Sequence, residues 1–281
     1  MTMASRQDLE ALMRLDGKVA LITGGGGVLG AAMGKGLGLA GAKVALCDLA
    51  ADKAADAAAQ LAELEIVARG AAMDAFDKES IERALADIEA ELGPVDILVN
   101  AAGGNVGEAT VSPEQTFFDL PGEALSKVVG LNLLAGAVYP SQVIGRRMAE
   151  RNKPASIINV SSMNAFRPLT RIVGYSAAKA AVSNFTQWLA VYMARELESS
   201  VRVNALAPGF FLTEQNRYLL TEEDGSLTER GQTIIGHTPM GRFGEPDDLI
   251  GATVWLASEA SAFVTGIVLP LDGGFSAFSG V

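Results

Sequence analysis

Residues 18–30 read KVALITGGGGVLG, an apolar run from Lys18 to Thr23 that breaks on four glycines and resumes at Val28 and Leu29. A short apolar run bounded by glycine fits a buried β-strand, and the following AAMGKGLGLA has the length and character of a helix. Residues 43–47 (KVALC) then repeat the first run. The opening therefore reads strand, glycine turn, helix, strand.

Working outward, the alternation continues. Helix-like 51–64 is followed by a strand near 66–70, helix-like 77–92, and the strand 95–99 (VDILV) introduced by Gly93 and Pro94. Beyond it lie a long helical region from about 122 to 151, the strand 155–161, a helix at 174–198, the strand 201–206 and a strand-like C-terminal GIVLPLDGG. Strand-to-strand connections of this length are crossovers between parallel strands, and right-handed crossovers cover both faces of a sheet with helices. The expected fold is α/β: a single doubly wound Rossmann domain over residues 1–281, with a seven-stranded parallel sheet. Residues 1–15 read as an N-terminal extension, either a short amphipathic helix or a partly ordered end. Residues 104–121 and 209–245 are long Gly- and Pro-punctuated segments, the kind that binds ligands in compact domains, and 209–245 is expected to bind substrate.

The bulk numbers point to a globular chain whose partners are small molecules. Of 281 residues, 49% are hydrophobic and 31 are glycine, which suits a buried parallel sheet. A formal charge of −11 argues against nucleic-acid or anionic-membrane partners. The lone Cys47 cannot form an internal disulfide, and MTMASRQDLEALMRLDGK lacks the pattern of a secretory signal, so a cytoplasmic setting is expected. No uninterrupted apolar stretch approaches the roughly 20 residues that span a bilayer.

Glycines after a strand let backbone amides approach a pyrophosphate at a helix N-terminus. Asp48 ends the second strand 18 residues after Gly30, where a carboxylate can accept ribose hydroxyls and repel a 2′-phosphate, which favours NAD. Equally, Asp48 can cap a helix beginning near Ala50. Further on, Tyr175 and Lys179 stand one helical turn apart on one face. Ketone reduction needs a proton at oxygen while a hydride reaches carbon. A free phenol, with pKa about 10, needs a cationic neighbour to serve as base near neutrality. Lys179 can lower the Tyr175 pKa, and this chemistry calls for no metal.

Together the glycine turn, Asp48, Asn100-Ala101-Ala102-Gly103, Ser162 thirteen residues before Tyr175, and Pro208-Gly209 resemble the short-chain dehydrogenase/reductase family along nearly the whole chain. The resemblance implies that Ser162 orients the substrate oxygen, Tyr175 is the acid/base, Lys179 binds the nicotinamide ribose and tunes Tyr175, and Asn132 supports a proton-relay water. It also implies that Gly24, Gly27, Leu29 and Gly30 surround the pyrophosphate. Asp74 would lie near adenine, Asn100 and Gly103 beside the adenosine ribose, and Pro208, Gly209 and Thr213 near the nicotinamide. Ser161 competes with Ser162, and the thirteen-residue spacing selects Ser162. One departure stands out: the family pattern T-G-x-x-x-G-x-G would put glycine at Val28.

The loops SSMNAFRPLTRIVGYSAAK, APGFFLTEQNR and HTPMGRFGEP resemble the family's D-mannonate oxidoreductases (fructuronate reductases), which implies a sugar-acid substrate. Asn164, Arg167, Arg171, Gln215 and Arg217 are then candidate substrate contacts, with His237 nearby and the two arginines suited to a carboxylate. A gluconate 5-dehydrogenase, a 3-oxoacyl-thioester reductase and a non-catalytic nucleotide-binding protein remain alternatives. The family's assembly habits imply a homotetramer built on the long helices and the C-terminus.

Overall fold

The computed structural model describes residues 6–213 and 216–280. Seven parallel strands form one sheet in the order β3-β2-β1-β4-β5-β6-β7. In chain order the elements begin with α1 (Arg6–Leu12), β1 (Val19–Thr23), α2 (Val28–Leu39), β2 (Lys43–Asp48), α3 (Ala51–Ala62), β3 (Ala68–Ala72), α4 (Lys78–Leu92) and β4 (Ile97–Asn100). A continuous helix follows, made of α5 (Gly122–Val129), a π-helical stretch (Gly130–Val138) and α6 (Tyr139–Glu150). The chain closes with β5 (Ala155–Val160), α7 (Val173–Arg195), β6 (Val201–Pro208), α8 (Arg217–Leu220), α9 (Glu229–Gly236), α10 (Ile250–Ala257) and β7 (Val268–Leu271).

Successive side chains of a strand point to opposite faces, and the strands divide their apolar residues accordingly. Leu21, Ala45, Leu98, Ile157 and Val203 pack on one face with residues of α4, α6 and α7, such as Ile88, Ile144 and Leu189. Ala20, Ile22, Val44, Leu46, Val99, Ile158 and Leu206 pack on the other with Met33, Leu37, Leu61 and Leu256. The expected doubly wound fold is thus observed, both faces being covered by apolar packing.

Some boundaries move. β3 starts later than expected because Ile66 turns back into the core, its amide donating to the Leu61 carbonyl at 3.2 Å as α3 closes. Within 209–245, expected as loop, lie α8 and α9. Thr228 caps α9 by accepting the Gly231 amide at 3.0 Å, a short-range signal that the surrounding glycines obscure. The ends of this region are drawn together where Leu212 and Gly244 donate main-chain hydrogen bonds to Gly244 and Phe210. In the extension, α1 leads to Leu15, which is buried and donates its amide to the Ala40 carbonyl at 2.8 Å.

The 29-residue helix from Gly122 to Glu150 is apolar enough, by length and composition alone, to cross a bilayer, and half of its most apolar window is buried within the protein. Two of its polar residues, Asn132 and Ser141, are buried and hydrogen-bonded inward. The sheet order reverses between β1 and β4, and the crevice at such a switch point is where open α/β sheets bind ligands.

Candidate active site

Thr23 closes β1 with its hydroxyl accepting the amides of Ala101 and Ala102, each at 3.2 Å, and so ties the ends of β1 and β4 together. Gly24 follows with φ +65°, and a Cβ there would lie 2.8 Å from the Ala102 Cα. A Cβ on Gly30 would come within 2.4 Å of the Gly24 carbonyl oxygen. Both positions therefore need glycine. Gly27 is the extended N-cap of α2, which makes Val28 its first helical residue. That residue is partly exposed and needs no unusual backbone, so the turn accommodates the departure from glycine at this position. The first amides of α2 have no intrahelical acceptor, and they open beside a close backbone crossing suited to a pyrophosphate.

Asp48 performs two local tasks. Its Oδ2 accepts the Gly26 amide and its Oδ1 the Ala50 amide, both at 3.2 Å. The carboxylate is thereby fixed between the glycine turn and the start of α3, where it can also meet a ribose. Asp74 follows β3 and accepts the Phe76 amide at 2.8 Å. The Asn100 side chain turns inward, donating to Ser141 Oγ at 3.1 Å and to Asn159 Oδ1 at 2.8 Å, while Asn159 donates to Thr186. What Asn100 presents to the crevice is main chain. Gly209, after Pro208, lies so close to Asp272 that a Cβ would sit 2.7 Å from its Cα, and the Thr213 amide donates to Asn216.

At the tip of β5 the two serines part. Ser162 faces the Tyr175 hydroxyl closely enough to favour its ionised form and accepts the Asn164 amide at 3.3 Å. Ser161 reaches α7 further along, joining Ser183 at 2.7 Å and the Lys179 carbonyl at 3.0 Å. Lys179 is buried, and its Nζ lies 5.6 Å from the Tyr175 ring centroid and donates to the Val160 carbonyl at 2.7 Å. Asn132, within the π-helical stretch, donates to the carbonyls of Gly104 (2.6 Å) and Val128 (2.8 Å) and accepts the Gly104 amide. A Cβ on Gly103 would stand 2.7 Å from Asn132 Oδ1 and 3.3 Å from Lys179 Nζ, so this segment passes close over both.

The electrostatics reverse one expectation. Burial pushes the Tyr175 phenol above its ordinary pKa, and the Ser162 hydroxyl only partly opposes it. Burial likewise brings Lys179 down to about 8. Desolvation disfavours each charged form, so by itself the protein holds the phenol protonated. That state suits a proton donor.

Around this centre, Asn164 is buried and its Oδ1 finds no hydrogen-bond partner among the described residues. Arg167 and Arg171 are exposed on the segment leaving Ser162. Arg167 Nε donates to the Ser276 carbonyl at 3.2 Å, and the Arg171 carbonyl accepts the Val111 amide. Arg217 opens α8, whereas Gln215 lies outside the described residues. His237 bonds the Thr233 carbonyl and lies 6.3 Å from the Phe275 ring. The buried ladder of Asn100, Ser141, Asn159 and Thr186, and the bonds of Ser161 and Ser183, escaped the sequence reading. Polar residues inside the strand-like run 155–161 were the available signal.

Residues 18–224 match the short chain dehydrogenase family. An uncharacterized oxidoreductase, UxuB, of Bacillus subtilis is 46% identical over 95% of this chain and 98% of its own. A proposed D-mannonate oxidoreductase from Haemophilus influenza, solved with bound NAD, is 44% identical, with a TM-score of 0.89 over 97% of this chain and 100% of that one. A gluconate 5-dehydrogenase from Burkholderia cenocepacia, solved with NADP and tartrate, is 32% identical, with a TM-score of 0.82 over 96% and 99%. The family match spans residues 18–224 and these relatives align over 95–97% of the chain, and the chain belongs to the short-chain dehydrogenase family of oxidoreductases.

Proposed function

We propose that this enzyme interconverts a sugar-acid alcohol and its ketone, with D-mannonate and D-fructuronate as the pair and NAD as the cofactor. The observation that carries the reading is the meeting of Ser162, Tyr175 and Lys179 at the tip of β5, across the switch point from the glycine turn. When bound, the nicotinamide supplies the hydride. In reduction Ser162 donates a hydrogen bond to the keto oxygen at C5, and Tyr175 gives its hydroxyl proton to that oxygen as the carbon gains hydride. Lys179, one turn along α7, stabilises the resulting phenolate. In oxidation the same groups run backwards, Tyr175 accepting the proton.

NAD preference rests on Asp48, whose carboxylate is held in place by two amides and would stand against a 2′-phosphate. A substrate carboxylate has Arg167, Arg171 and Arg217 to draw on, with Asn164 and Gln215 as polar neighbours and the 209–245 region as the substrate-binding loops. The likeness to proteins described as D-mannonate oxidoreductase and gluconate 5-dehydrogenase supports a sugar acid, and the second keeps 5-keto-gluconate as the other reading. A homotetramer and a cytoplasmic setting complete the proposal. The first fits the exposed aromatic side of α7, and the second fits the lone, buried Cys47, whose thiol burial pushes up to about 12.

The test follows NADH oxidation with D-fructuronate, 5-keto-gluconate, tagaturonate and an acetoacetyl thioester in parallel, then repeats the set with NADPH. D-Fructuronate with NADH is expected to give the highest kcat/KM, and a higher value for 5-keto-gluconate would replace the substrate. Tyr175→Phe is expected to lower kcat by about a thousandfold. Unchanged turnover would end the mechanism.

A further inference from the structure

Val160, Ser161 and Ser162 are consecutive, yet each holds a different part of the proposed proton-transfer pair. The Val160 carbonyl accepts from Lys179 Nζ at 2.7 Å, Ser161 Oγ stands 3.0 Å from the Lys179 carbonyl, and Ser162 faces the Tyr175 hydroxyl. The tip of β5 thus grips Lys179 at both ends of the residue, by its ammonium and by its main chain. Ser161 is itself anchored in the sheet, its amide donating to the Leu206 carbonyl at 2.7 Å, and its side chain is buried.

A helical carbonyl already accepts the amide four residues on, so the Lys179 carbonyl does not need Ser161 to be satisfied. Ser183 Oγ also reaches that carbonyl, at 3.1 Å, and touches Ser161 Oγ at 2.7 Å. Two hydroxyl protons serve three contacts. Either Ser161 donates to the carbonyl and Ser183 to Ser161, or Ser183 donates to the carbonyl and Ser161 to Ser183. In both arrangements Ser161 is the member that crosses from strand to helix, because Ser183 and Lys179 belong to the same helix.

We propose that Ser161 is a positioning residue for Lys179, fixing the register of α7 against the tip of β5 so that the ammonium keeps its place beside Tyr175. The inference rests on the proposed roles of Tyr175 and Lys179. It assigns to Ser161, which touches neither substrate nor cofactor, an effect that passes entirely through Lys179.

Ser161→Ala, Ser161→Cys and Ser183→Ala separate the cross-element bond from a hydroxyl that merely sits on a carbonyl. In Ser161→Ala, Ser183 still donates to the carbonyl but strand and helix are no longer joined. The expected loss in kcat is on the order of tenfold, an ångström-scale misplacement costing up to about a hundredfold. The KM for NADH is expected to rise, and the ascending limb of the alcohol-oxidation pH profile to move to higher pH as the phenolate loses support. Ser183→Ala leaves Ser161 donating directly, and kcat should stay within about twofold with the pH profile unmoved. Ser161→Cys keeps the volume with only a weak donor and should move both readouts in the same direction as alanine, which keeps the comparison available if the alanine variant unfolds. A folded Ser161→Ala or Ser161→Cys enzyme with unchanged kcat and pH profile overturns the proposal. So does a Ser183→Ala enzyme as impaired as Ser161→Ala. If Tyr175→Phe is inactive while the Ser161 variants are silent, only the positioning role falls; if Tyr175→Phe is fully active, the mechanism beneath it falls instead.

Discussion

Lys179 is a buried base whose charge the fold carries at a cost. Its pKa falls from 10.5 to about 8 through burial. Between those values the unfolded chain holds more protons than the folded one, so stability climbs as pH rises through that window. Below pH 8 the full penalty, about 3 kcal/mol at 1.36 kcal/mol per unit, remains. Lys179→Met should therefore inactivate the enzyme and yet stabilise it at pH 7. The gain should be about 1–2 kcal/mol once a donor lost to the Val160 carbonyl is counted, and it should shrink toward pH 10. Urea denaturation at both pH values reads it, and a destabilised variant at pH 7 would refute the argument. At this scale the sequence made residue types and spacing legible: Tyr175 and Lys179 one turn apart, Ser162 thirteen residues before. It did not reveal the direction of the Tyr175 shift, because desolvation depends on what α7 packs against rather than on neighbours in the chain. The inward turn of Asn100 was hidden for the same reason, its partners Ser141 and Asn159 lying 41 and 59 residues away.

Among the elements, legibility followed how local the governing interactions were. Strands such as KVALIT and VDILV announced themselves because parallel strands buried on both faces are apolar throughout, whereas α8 and α9 are too short to show a period. Caps differ from helix to helix. Asp77 caps α4, accepting the Glu79 amide at 2.9 Å, while Ala50 at the N-cap of α3 has no capping side chain of its own, and Asp48 reaches only the Ala50 amide. Removing the first, by Asp77→Ala, should cost about 1 kcal/mol at a distance from the proposed chemistry. The urea midpoint should fall with kcat unchanged; loss of activity without loss of stability would show that α4 does more than support β3 and β4.

Over the whole molecule, the outer side of α7 carries Phe185, Trp188 and Tyr192 stacked in series with centroids 6.3 and 5.0 Å apart. Trp188 and Val191 beside them are 57% and 62% exposed. Exposed apolar patches of this kind mark association surfaces, and the proposed homotetramer should need this one. Light scattering should report a tetramer for the native chain and a smaller species for Trp188→Asp, and a native monomer would remove assembly from the proposal. The helix beside this face contains the nine-residue π-helical stretch around Asn132. Such a stretch is what a helix becomes when it takes in a residue more than its regular winding allows, and the widened turn frequently marks a functional site. Taking one residue out of 133–137 would let the helix relax to regular winding and rotate one end against the other by about 100°, carrying Asn132 away from Gly104.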